Sequence, residues 1–316
     1  MGSPRYLVTG GDGFIGSHLV GRLACRGETT VVIQPGCEVL RLQAIRGDIR
    51  LCQLDVRDEG GVRQVIQDVR PTIIFHLAGA GLIPGKEPPG DVMAVNVCGA
   101  YNILTGMLAA ETVETAVFVG SWYEYGSALA SGSRRLPQPT SVYGVSKLAA
   151  TLLVQSFALG MDVPAIVVRP FQVYGPSEQP HRLIPQAVRS ARAGVPLHLH
   201  NPQSLRDWVY VEDVATALDV VGESECRGQV VDIGTGVTTS VADVVNQVFE
   251  LMGVRREGGD GSVADRRVEG LGTADQGLSG AAETHVAKAL FAWEATHDIK
   301  DGLRKTVAWY GEEGRR

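Results

Sequence analysis

Three kinds of sequence feature are missing from this chain of 316 residues, and each absence argues against certain classes of protein. The five cysteines are scattered, with no Cys-x-x-Cys pair and no histidine beside them in a metal pattern, so we expect reduced thiols in a cytoplasmic protein and no metal site. No apolar run reaches the ~18 residues that a membrane helix needs, and the N-terminus lacks a signal-peptide pattern. Excess positive charge is also missing, because the net charge is −6, which argues against a nucleic-acid-binding protein.

What the chain has in quantity is an alternation of short β-branched runs with helical periodicity. Expected strands cover residues 6–9, 29–33, 72–77, 115–119 and 165–168. Expected helices cover residues 14–26, 91–110 and 144–159, and Val62, Val65, Ile66 and Val69 mark one face of another. This order predicts a doubly wound parallel α/β sheet with helices on both faces.

After about residue 172 the rhythm loosens and prolines become frequent, which favours a smaller C-terminal α/β lobe. We therefore expect a dinucleotide-binding domain over residues 1–172, with returns near 207–235, and the smaller lobe over 173–316. The later elements that we expect are a strand at 229–233, a helix that starts at Ser240, a long loop over 255–281 and a last helix near 300–311.

A glycine-rich loop, Gly10-Gly-Asp-Gly13-Phe-Ile-Gly16, follows the first strand and opens the first helix. Residues without a Cβ allow a tight turn and a close approach of the backbone to a pyrophosphate. The helix N-terminus adds N–H groups and a favourable dipole. Since the loop lies within a βαβ unit, it predicts a dinucleotide-binding site.

A second motif combines Tyr143 and Lys147, which lie on one face of a helix, with Ser121 after a buried strand. Interconversion of an alcohol and a ketone needs a proton carrier beside a hydride carrier, and a group that holds the oxygen. A free tyrosine titrates near ~10, and we expect the Lys147 ammonium and a cationic nicotinamide to lower the pKa of Tyr143, so that it acts as general acid/base. Ser121 would orient the same oxygen.

These motifs together resemble those of the extended short-chain dehydrogenase/reductases, in particular the NAD-dependent epimerase/dehydratase family. The stretches that carry the resemblance, beside the glycine loop and YxxxK, are Leu54-Asp55-Val-Arg-Asp58, His76-Leu-Ala-Gly79 and Asn96-Val-Cys-Gly99. The resemblance implies a Rossmann fold that binds NAD(H) or NADP(H). The cofactor-binding residues that it implies are Gly10, Gly13, Phe14, Ile15, Gly16, Gln34, Asp55, Val56, Leu77, Ala78, Gly79, Asn96, Tyr143, Lys147 and Pro170.

One cofactor position departs from the usual pattern, because Gln34 stands at the end of the second strand. A carboxylate there favours NAD, and a nearby arginine accommodates the 2′-phosphate of NADP. Glutamine carries neither charge, and Arg41 is close in sequence, so the choice of cofactor stays open.

On the substrate side, two stretches resemble segments of the family that bind a nucleoside-diphosphate sugar. They are Arg169-Pro-Phe-Gln-Val-Tyr-Gly-Pro176 and Arg206-Asp-Trp-Val-Tyr-Val-Glu-Asp213. Arg206 is expected to pair with the diphosphate, because a planar guanidinium suits bidentate bonds to phosphate. The substrate-binding residues that we expect are Ser121, Trp122, Tyr123, Gln172, Arg182 and Arg206.

Trp122 and Tyr123 stand where dehydratases of the family have Asp-Glu or Ser-Glu, which argues against a 4,6-dehydratase. We expect Glu124 to make a structural ion pair or hydrogen bond. The expected reaction is reduction of the C4 keto group of a dTDP- or GDP-linked 4-keto-6-deoxyhexose. A 4-epimerase similar to UDP-glucose 4-epimerase uses the same three residues and stays open, whereas a non-catalytic cofactor-binding protein is a remote alternative. The resemblance also implies a homodimer built on the YxxxK helix, where Leu148, Leu152 and Leu159 form an apolar stripe.

Overall fold

The computed structural model describes residues 3–83, 85–126, 136–199, 201–254 and 278–313. Its larger sheet has seven parallel strands: β1 (Arg5–Thr9), β2 (Glu28–Ile33), β3 (Arg50–Gln53), β4 (Ile73–His76), β5 (Thr115–Val119), β6 (Ala165–Pro170) and β9 (Val230–Ile233). They lie in the order β3-β2-β1-β4-β5-β6-β9. The order reverses beside β1, as in a doubly wound sheet, and opens a crevice at the carboxyl ends of β1 and β4.

Helices cover both faces of this sheet, which confirms the predicted fold class. The helices are α1 (Phe14–Leu23), α2 (Glu59–Val69), α3 (Pro89–Met93), α4 (Gly99–Leu108), α5 (Val142–Gly160), α6 (Leu183–Ala193), α7 (Val211–Gly222), α8 (Val241–Leu251), α9 (Thr284–Phe291) and α10 (Ile299–Glu313). A π-helical turn, Ala94–Cys98, joins α3 to α4, so the helix expected over 91–110 is a chain of three pieces.

Two apolar cores form because alternate side chains of each strand point to opposite faces. Val8, Phe75 and Val117 pack under α1 and α7, whereas Leu7 and Ile74 pack under α2, α4 and α5. All five are fully buried, and each contributes about 1.5–3 kcal/mol relative to an exposed side chain. Strands buried on both faces explain the continuous apolar runs seen in the sequence.

The smaller lobe has a three-stranded sheet of its own. Its strands are β7 (Gln172–Tyr174), β8 (Leu205–Tyr210) and β10 (Thr238–Ser240), in the order β10-β8-β7. Side chains of α6, α8 and α10 cover it in a third core. Only Phe171 separates β6 from β7, and after β8 the chain returns to the larger sheet as α7 and β9. Residues 207–210, expected with the larger domain, therefore lie in the smaller sheet.

The C-terminal elements follow the local sequence signals. The Ser240 side chain accepts a hydrogen bond from the backbone N–H of Asp243 at 3.0 Å and so caps α8, as the sequence predicts. The last helix, α10, exceeds the expected one by one residue at its start and two at its end. Of the loop expected over residues 255–281, residues 255–277 lie outside the described part of the chain.

Helix α5 is long and apolar enough to cross a membrane, judged by length and composition alone. It also carries Lys147, which is buried, and its Val154 and Phe157 belong to the core between the sheet and α4. The core helix of a folded domain passes the same test of length and composition, and we interpret α5 in that way.

Candidate active site

The glycine loop turns the chain from β1 into α1 in a conformation that few side chains tolerate. Gly10 has a φ of +68°, and a Cβ there would lie 2.7 Å from the backbone nitrogen of Ala78. A Cβ on Gly16 would overlap the carbonyl oxygen of Gly10. Gly13 occupies the N-cap position, where it supplies no side chain to bond the first helical N–H groups. These N–H groups and the helix dipole favour an anion such as pyrophosphate at this turn.

A cavity of about 250 Å³ lies beside the loop, where β1 and β2 end. Of the expected cofactor residues, it is lined by Gly10, Gly13, Gln34, Asp55, Val56, Leu77, Ala78 and Gly79. Asp55 accepts a hydrogen bond from Arg57 Nη2 at 2.6 Å, and the bonds from Arg57 lower the pKa of the Asp55 carboxyl. Asp12 and Cys37 also line this cavity. Within the described lining, the charged side chains are carboxylates, with no lysine or arginine.

A second cavity, of about 240 Å³, shares Gly10, Gly13, Leu77, Gly79 and Ala80 with the first, so the two adjoin along the glycine loop. Its lining brings together most of the remaining expected residues: Phe14, Ile15, Gly16, Ser121, Trp122, Tyr123, Tyr143, Lys147, Pro170 and Arg182. Together the two cavities form a continuous groove over the carboxyl ends of the central strands, the position at which ligands bind in open α/β sheets.

Three elements converge to place Ser121, Tyr143 and Lys147 in the second cavity. Ser121 follows β5 and caps a 3₁₀ turn, Trp122–Glu124, whereas the other two residues lie one turn apart on α5. The side chains of Ser121 and Tyr143 line the cavity together, and the Tyr143 ring packs against Tyr123 with ring centroids 5.5 Å apart. Lys147 Nζ donates a hydrogen bond to the carbonyl oxygen of Val119 at 3.0 Å. A hydroxyl, a phenol and an ammonium thus line one cavity, as proton transfer to a ligand oxygen requires.

The electrostatics of this group differ from the sequence expectation. Burial is the largest influence and raises the pKa of Tyr143, the hydrogen bond with Ser121 opposes it, and the charge of Glu124 adds to the increase. Burial also lowers the pKa of Lys147 from 10.5 to about 8, opposed by the charge of Glu124. In the protein alone, the Tyr143 pKa therefore shifts in the direction opposite to the expected one, because desolvation of the phenolate outweighs the hydrogen bond with Ser121 and the positive charge of Arg182.

Replacement of Lys147 by methionine is expected to remove activity and to stabilise the fold. The folded pKa of about 8 lies below the unfolded value of 10.5, so the unfolded chain binds more protons between these pH values. Stability therefore rises as the pH increases from about 8 to 10.5, and burying the ammonium is costly below that window. We expect Lys147→Met to raise the free energy of unfolding at neutral pH by about 1–2 kcal/mol, after loss of the bond to Val119.

The stability test is chemical denaturation at neutral pH and again above the ordinary lysine pKa, where the gain should vanish. Lys300→Met serves as the control, because Lys300 is exposed and its replacement should change stability by less than about 0.5 kcal/mol. A Lys147→Met protein that is less stable than the wild type at neutral pH would show that the ammonium stabilises the fold.

Three of the expected residues do not line either cavity. Asn96 is buried, and its side chain bonds both the N–H and the carbonyl of Ala80, so it holds the backbone that lines the groove. Gln172 is buried in β7. Its two neighbours, Phe171 and Val173, line the second cavity instead, because side chains alternate along extended chain. Strand alternation on either side of Gln172 is the signal that could have identified them.

Arg206 is buried in β8, where its Nε donates a hydrogen bond to Ser204 Oγ at 3.4 Å. The arginine that lines the second cavity is Arg182, whose Nε lies 3.3 Å from Glu178 Oε1. Gln179, from the same loop, also lines this cavity and was not among the expected residues. The loop before α6 therefore brings a guanidinium and an amide to the groove.

Comparison with known proteins identifies the family to which a chain with this site belongs. A sequence model described as the NAD dependent epimerase/dehydratase family matches residues 6–234, more than two thirds of the chain. The chain belongs to this family. The protein is therefore an NAD-dependent enzyme of the extended short-chain dehydrogenase/reductase type, in a family of nucleotide-sugar dehydratases and epimerases. This confirms the resemblance inferred from the motifs.

Individual proteins also match this chain along nearly its whole length. The low-salt glycan biosynthesis protein Agl12 of Haloferax volcanii is 29% identical over 96% of this chain and 97% of its own. The dTDP-glucose 4,6-dehydratase of Neisseria gonorrhoeae is 28% identical over 98% and 96%, respectively. The structure of the Thermus thermophilus UDP-glucose 4-epimerase in complex with NAD has a TM-score of 0.81 and 26% identity, over 97% and 99%.

Proposed function

We propose that this protein reduces the C4 keto group of a nucleoside-diphosphate-4-keto-6-deoxyhexose with NADH. The observation that carries the proposal is the composition of the catalytic cavity. Ser121, Tyr143 and Lys147 line it, and its described lining contains no aspartate or glutamate. The residues for alcohol–ketone interconversion are thus together without a carboxylate to assist the removal of water, which a 4,6-dehydration requires.

The residues after Ser121 support this distinction. Trp122 and Tyr123 line the cavity, and Trp122 stacks on Phe171, with ring centroids 5.9 Å apart. Glu124, the nearest carboxylate in sequence, is fully buried and bonded within the protein. An apolar aromatic wall suits a deoxysugar, whose C6 methyl group it would cover.

The cofactor that we assign is NAD(H). The N–H groups at the start of α1 would bind its pyrophosphate, and Gln34 would bond a ribose hydroxyl. The described lining of the adenosine-side cavity offers no cation for a 2′-phosphate. Arg41, the nearby arginine, donates instead to the carbonyl oxygens of Ser177 and Asp12, at 2.9 and 3.4 Å. NADH supplies the hydride, and its oxidised form carries a positive charge that favours the phenolate.

The chain's own residues carry the proton chemistry. Tyr143 donates its phenolic proton to the C4 oxygen as negative charge develops there. Ser121 donates a hydrogen bond to the same oxygen and fixes its position relative to the phenol. Lys147, one turn along α5, is held by Val119 and supplies positive charge close to the phenolate that remains.

For the substrate, we assign the diphosphate to Arg182. Its guanidinium lines the same cavity as the catalytic residues, and the pair that it forms with Glu178 orients it. Trp122 and Tyr123 would contact the sugar. Arg206 and Gln172 do not line the groove in this structure. The substrate roles that their motifs suggest would therefore require a movement of the smaller lobe.

A nucleotide-sugar 4-epimerase is the second candidate. The same three catalytic residues serve it, and the Thermus thermophilus UDP-glucose 4-epimerase has the same fold over nearly the whole chain. An epimerase must return the hydride to the opposite face of the same sugar, so its cofactor is not consumed.

The test is incubation of the purified protein and NADH with dTDP-, GDP- and UDP-linked 4-keto-6-deoxyhexoses, and separately with the parent hexoses. We expect one NADH to be oxidised for each keto sugar reduced, followed by absorbance and by chromatography of the nucleotide sugars. Interconversion of 4-epimers without net NADH oxidation would establish the epimerase instead. Release of water from a parent hexose would exclude both and support a dehydratase.

We also propose a cytoplasmic homodimer. Leu152 and Leu159 on α5 are 57% and 75% exposed, so the apolar stripe on the YxxxK helix points away from the core. All five cysteines are free thiols, which suits a reducing compartment.

A further inference from the structure

Glu124 lies behind the catalytic turn, and both of its carboxylate oxygens are bonded within the protein. Oε1 accepts a hydrogen bond from the backbone N–H of Ser121 at 2.8 Å. Oε2 accepts from Thr151 Oγ1 at 2.9 Å and from Arg169 Nε at 2.7 Å. The side chain is 0% exposed and is not among the residues that line the catalytic cavity. Glu124 therefore acts on the site only through the residues that it holds.

The residue that it holds most directly is Ser121. Ser121 caps the 3₁₀ turn Trp122–Glu124, and its Oγ accepts a hydrogen bond from the backbone N–H of Tyr123 at 3.3 Å while Glu124 reaches back to the Ser121 N–H. A turn of three residues has few bonds of its own, so this reciprocal pair fixes its geometry. Gly120 leaves room for the carboxylate, because a Cβ there would overlap Glu124 Oε1.

A chain of buried charges extends from Glu124 to the last strand of the larger sheet. Arg169 pairs with Glu124 and donates to the Tyr125 hydroxyl at 3.3 Å. That hydroxyl donates in turn to Asp232 Oδ1 at 2.8 Å, on β9. Arg169 thus lies between the Glu124 carboxylate and the Tyr125 hydroxyl, and its positive charge offsets the negative charge of Glu124 beside the catalytic residues. Burying an ion pair of this kind costs desolvation free energy, so it is weak evidence for a role in stability. A role in fixing the geometry of the site is a better explanation for the pair.

We propose that Glu124 is a positioning residue, which holds the Ser121 hydroxyl against Tyr143 and whose charge Arg169 balances. The inference rests on the proposed function only in that it concerns the same active site. Neither residue contacts the substrate; both act through the catalytic serine and tyrosine.

Two substitutions test separately whether the length and the charge of the Glu124 side chain matter. Glu124→Asp keeps the charge but is one methylene shorter, so it cannot bond Ser121 and Arg169 together. We expect kcat to fall by about 10²-fold, the loss typical of a small misplacement, with KM changed less than about 2-fold. Glu124→Gln keeps the length and an oxygen for the Ser121 N–H but loses the charge. Its kcat should fall by less than about 10-fold.

The effect of the Glu124 charge can be measured as a change in the Tyr143 pKa, because Glu124 raises that pKa. Two charged side chains act on the phenol: Glu124 from the catalytic turn raises its pKa, and Arg182 from the loop before α6 lowers it. Removal of the Glu124 charge should lower the Tyr143 pKa, whereas Glu124→Asp should leave it unchanged. The readout is phenolate ultraviolet absorbance with NAD⁺ bound, after subtraction of the matching Tyr143→Phe spectrum.

The titration needs no sugar substrate. If every nucleotide sugar fails to react, the proposed function is wrong and this measurement still decides the inference. Glu250→Gln, on the exposed face of α8, is the control for the loss of one carboxylate. A Glu124→Asp enzyme with the wild-type kcat, or a Glu124→Gln protein with an unchanged Tyr143 pKa, would overturn the proposal. Should one variant not fold, the other still tests its own part of the proposal: Glu124→Asp tests the geometry and Glu124→Gln tests the charge.

Discussion

Replacement of Tyr143 by phenylalanine is expected to lower kcat/KM by about 10³-fold, which corresponds to about 4 kcal/mol of lost transition-state stabilisation. In the proposed mechanism the hydroxyl donates the proton to the reacting oxygen, and the described lining of the catalytic cavity offers no carboxylic acid to replace it. NAD affinity should change little, because the phenyl ring keeps its packing against Tyr123, with centroids 5.5 Å apart. Steady-state kinetics with the reactive nucleotide sugar and a binding titration with NADH measure the two quantities.

The matched control is Tyr101→Phe, which removes a phenol from the exposed face of α4, outside both cavities. Its kcat/KM should remain within about 2-fold of the wild type, as for a surface substitution. A Tyr143→Phe enzyme with more than a tenth of the wild-type kcat/KM would show that another group donates the proton. The most informative follow-up would then be a pH profile, since burial raises the pKa of Tyr143 and a replacement donor would titrate elsewhere.

Replacement of Gly16 by alanine is expected to weaken NAD binding by between about 10- and 100-fold and to lower stability by about 1–3 kcal/mol. The added methyl group would overlap the carbonyl oxygen of Gly10 and would lie 2.7 Å from the Cα of Gly11. Both contacts are with backbone, so rotation of a side chain cannot relieve them. The loop must shift, and its N–H groups would then no longer point at the pyrophosphate.

Gly21→Ala provides a matched comparison within the same helix. A Cβ at Gly21 meets nothing within 4 Å, so alanine should stabilise α1 by about 0.5–1 kcal/mol through its higher helix propensity. Thermal unfolding with and without NAD reports both effects, because a ligand that binds only the folded state stabilises it by RT ln(1 + [L]/Kd). Equal responses of the Gly16 and Gly21 variants would mean that the glycine loop is not the pyrophosphate site.

The elements with strong local signals could be predicted from the sequence. Strands β1, β4, β5 and β6 are continuous β-branched or apolar runs, and the structure places them at the centre of the sheet. Strand β3 was missed, because Arg50–Gln53 is an edge strand with only two apolar residues among its four. Its pairing with β2 arises from tertiary context, which periodicity does not report.

Helix α6 shows that frequent prolines do not exclude a helix. Prolines usually mark turns and loops, and the sequence predicts no helix over this segment, yet Pro185 is the third residue of Leu183–Ala193. Proline is tolerated in the first turn of a helix, since its missing N–H would have no partner there. The spacing of Ile184, Ala187, Val188 and Ala191, all buried, was the better indicator.

The candidate site also combines features that local spacing predicts with features that only the tertiary fold determines. Spacing within one helix or loop placed Tyr143, Lys147 and the glycines correctly relative to each other. It did not place Arg206, which lines neither cavity and whose position depends on how the second sheet packs beside the first. The Tyr143 pKa could not be predicted either, because desolvation depends on burial, and burial belongs to the assembled fold rather than to neighbours in sequence.

The path of the chain between the two sheets limits how this enzyme can be altered by recombination. The backbone passes from one sheet to the other at Phe171, again between Tyr210 and Val211, and once more over residues 234–237. A single crossover point therefore cannot transfer the sugar-side lobe alone to another parent, because any C-terminal piece that carries β7, β8 and β10 also carries β9 of the larger sheet. New substrate preference must come from point substitutions and loop changes, and chimeras with one junction will combine mismatched cores.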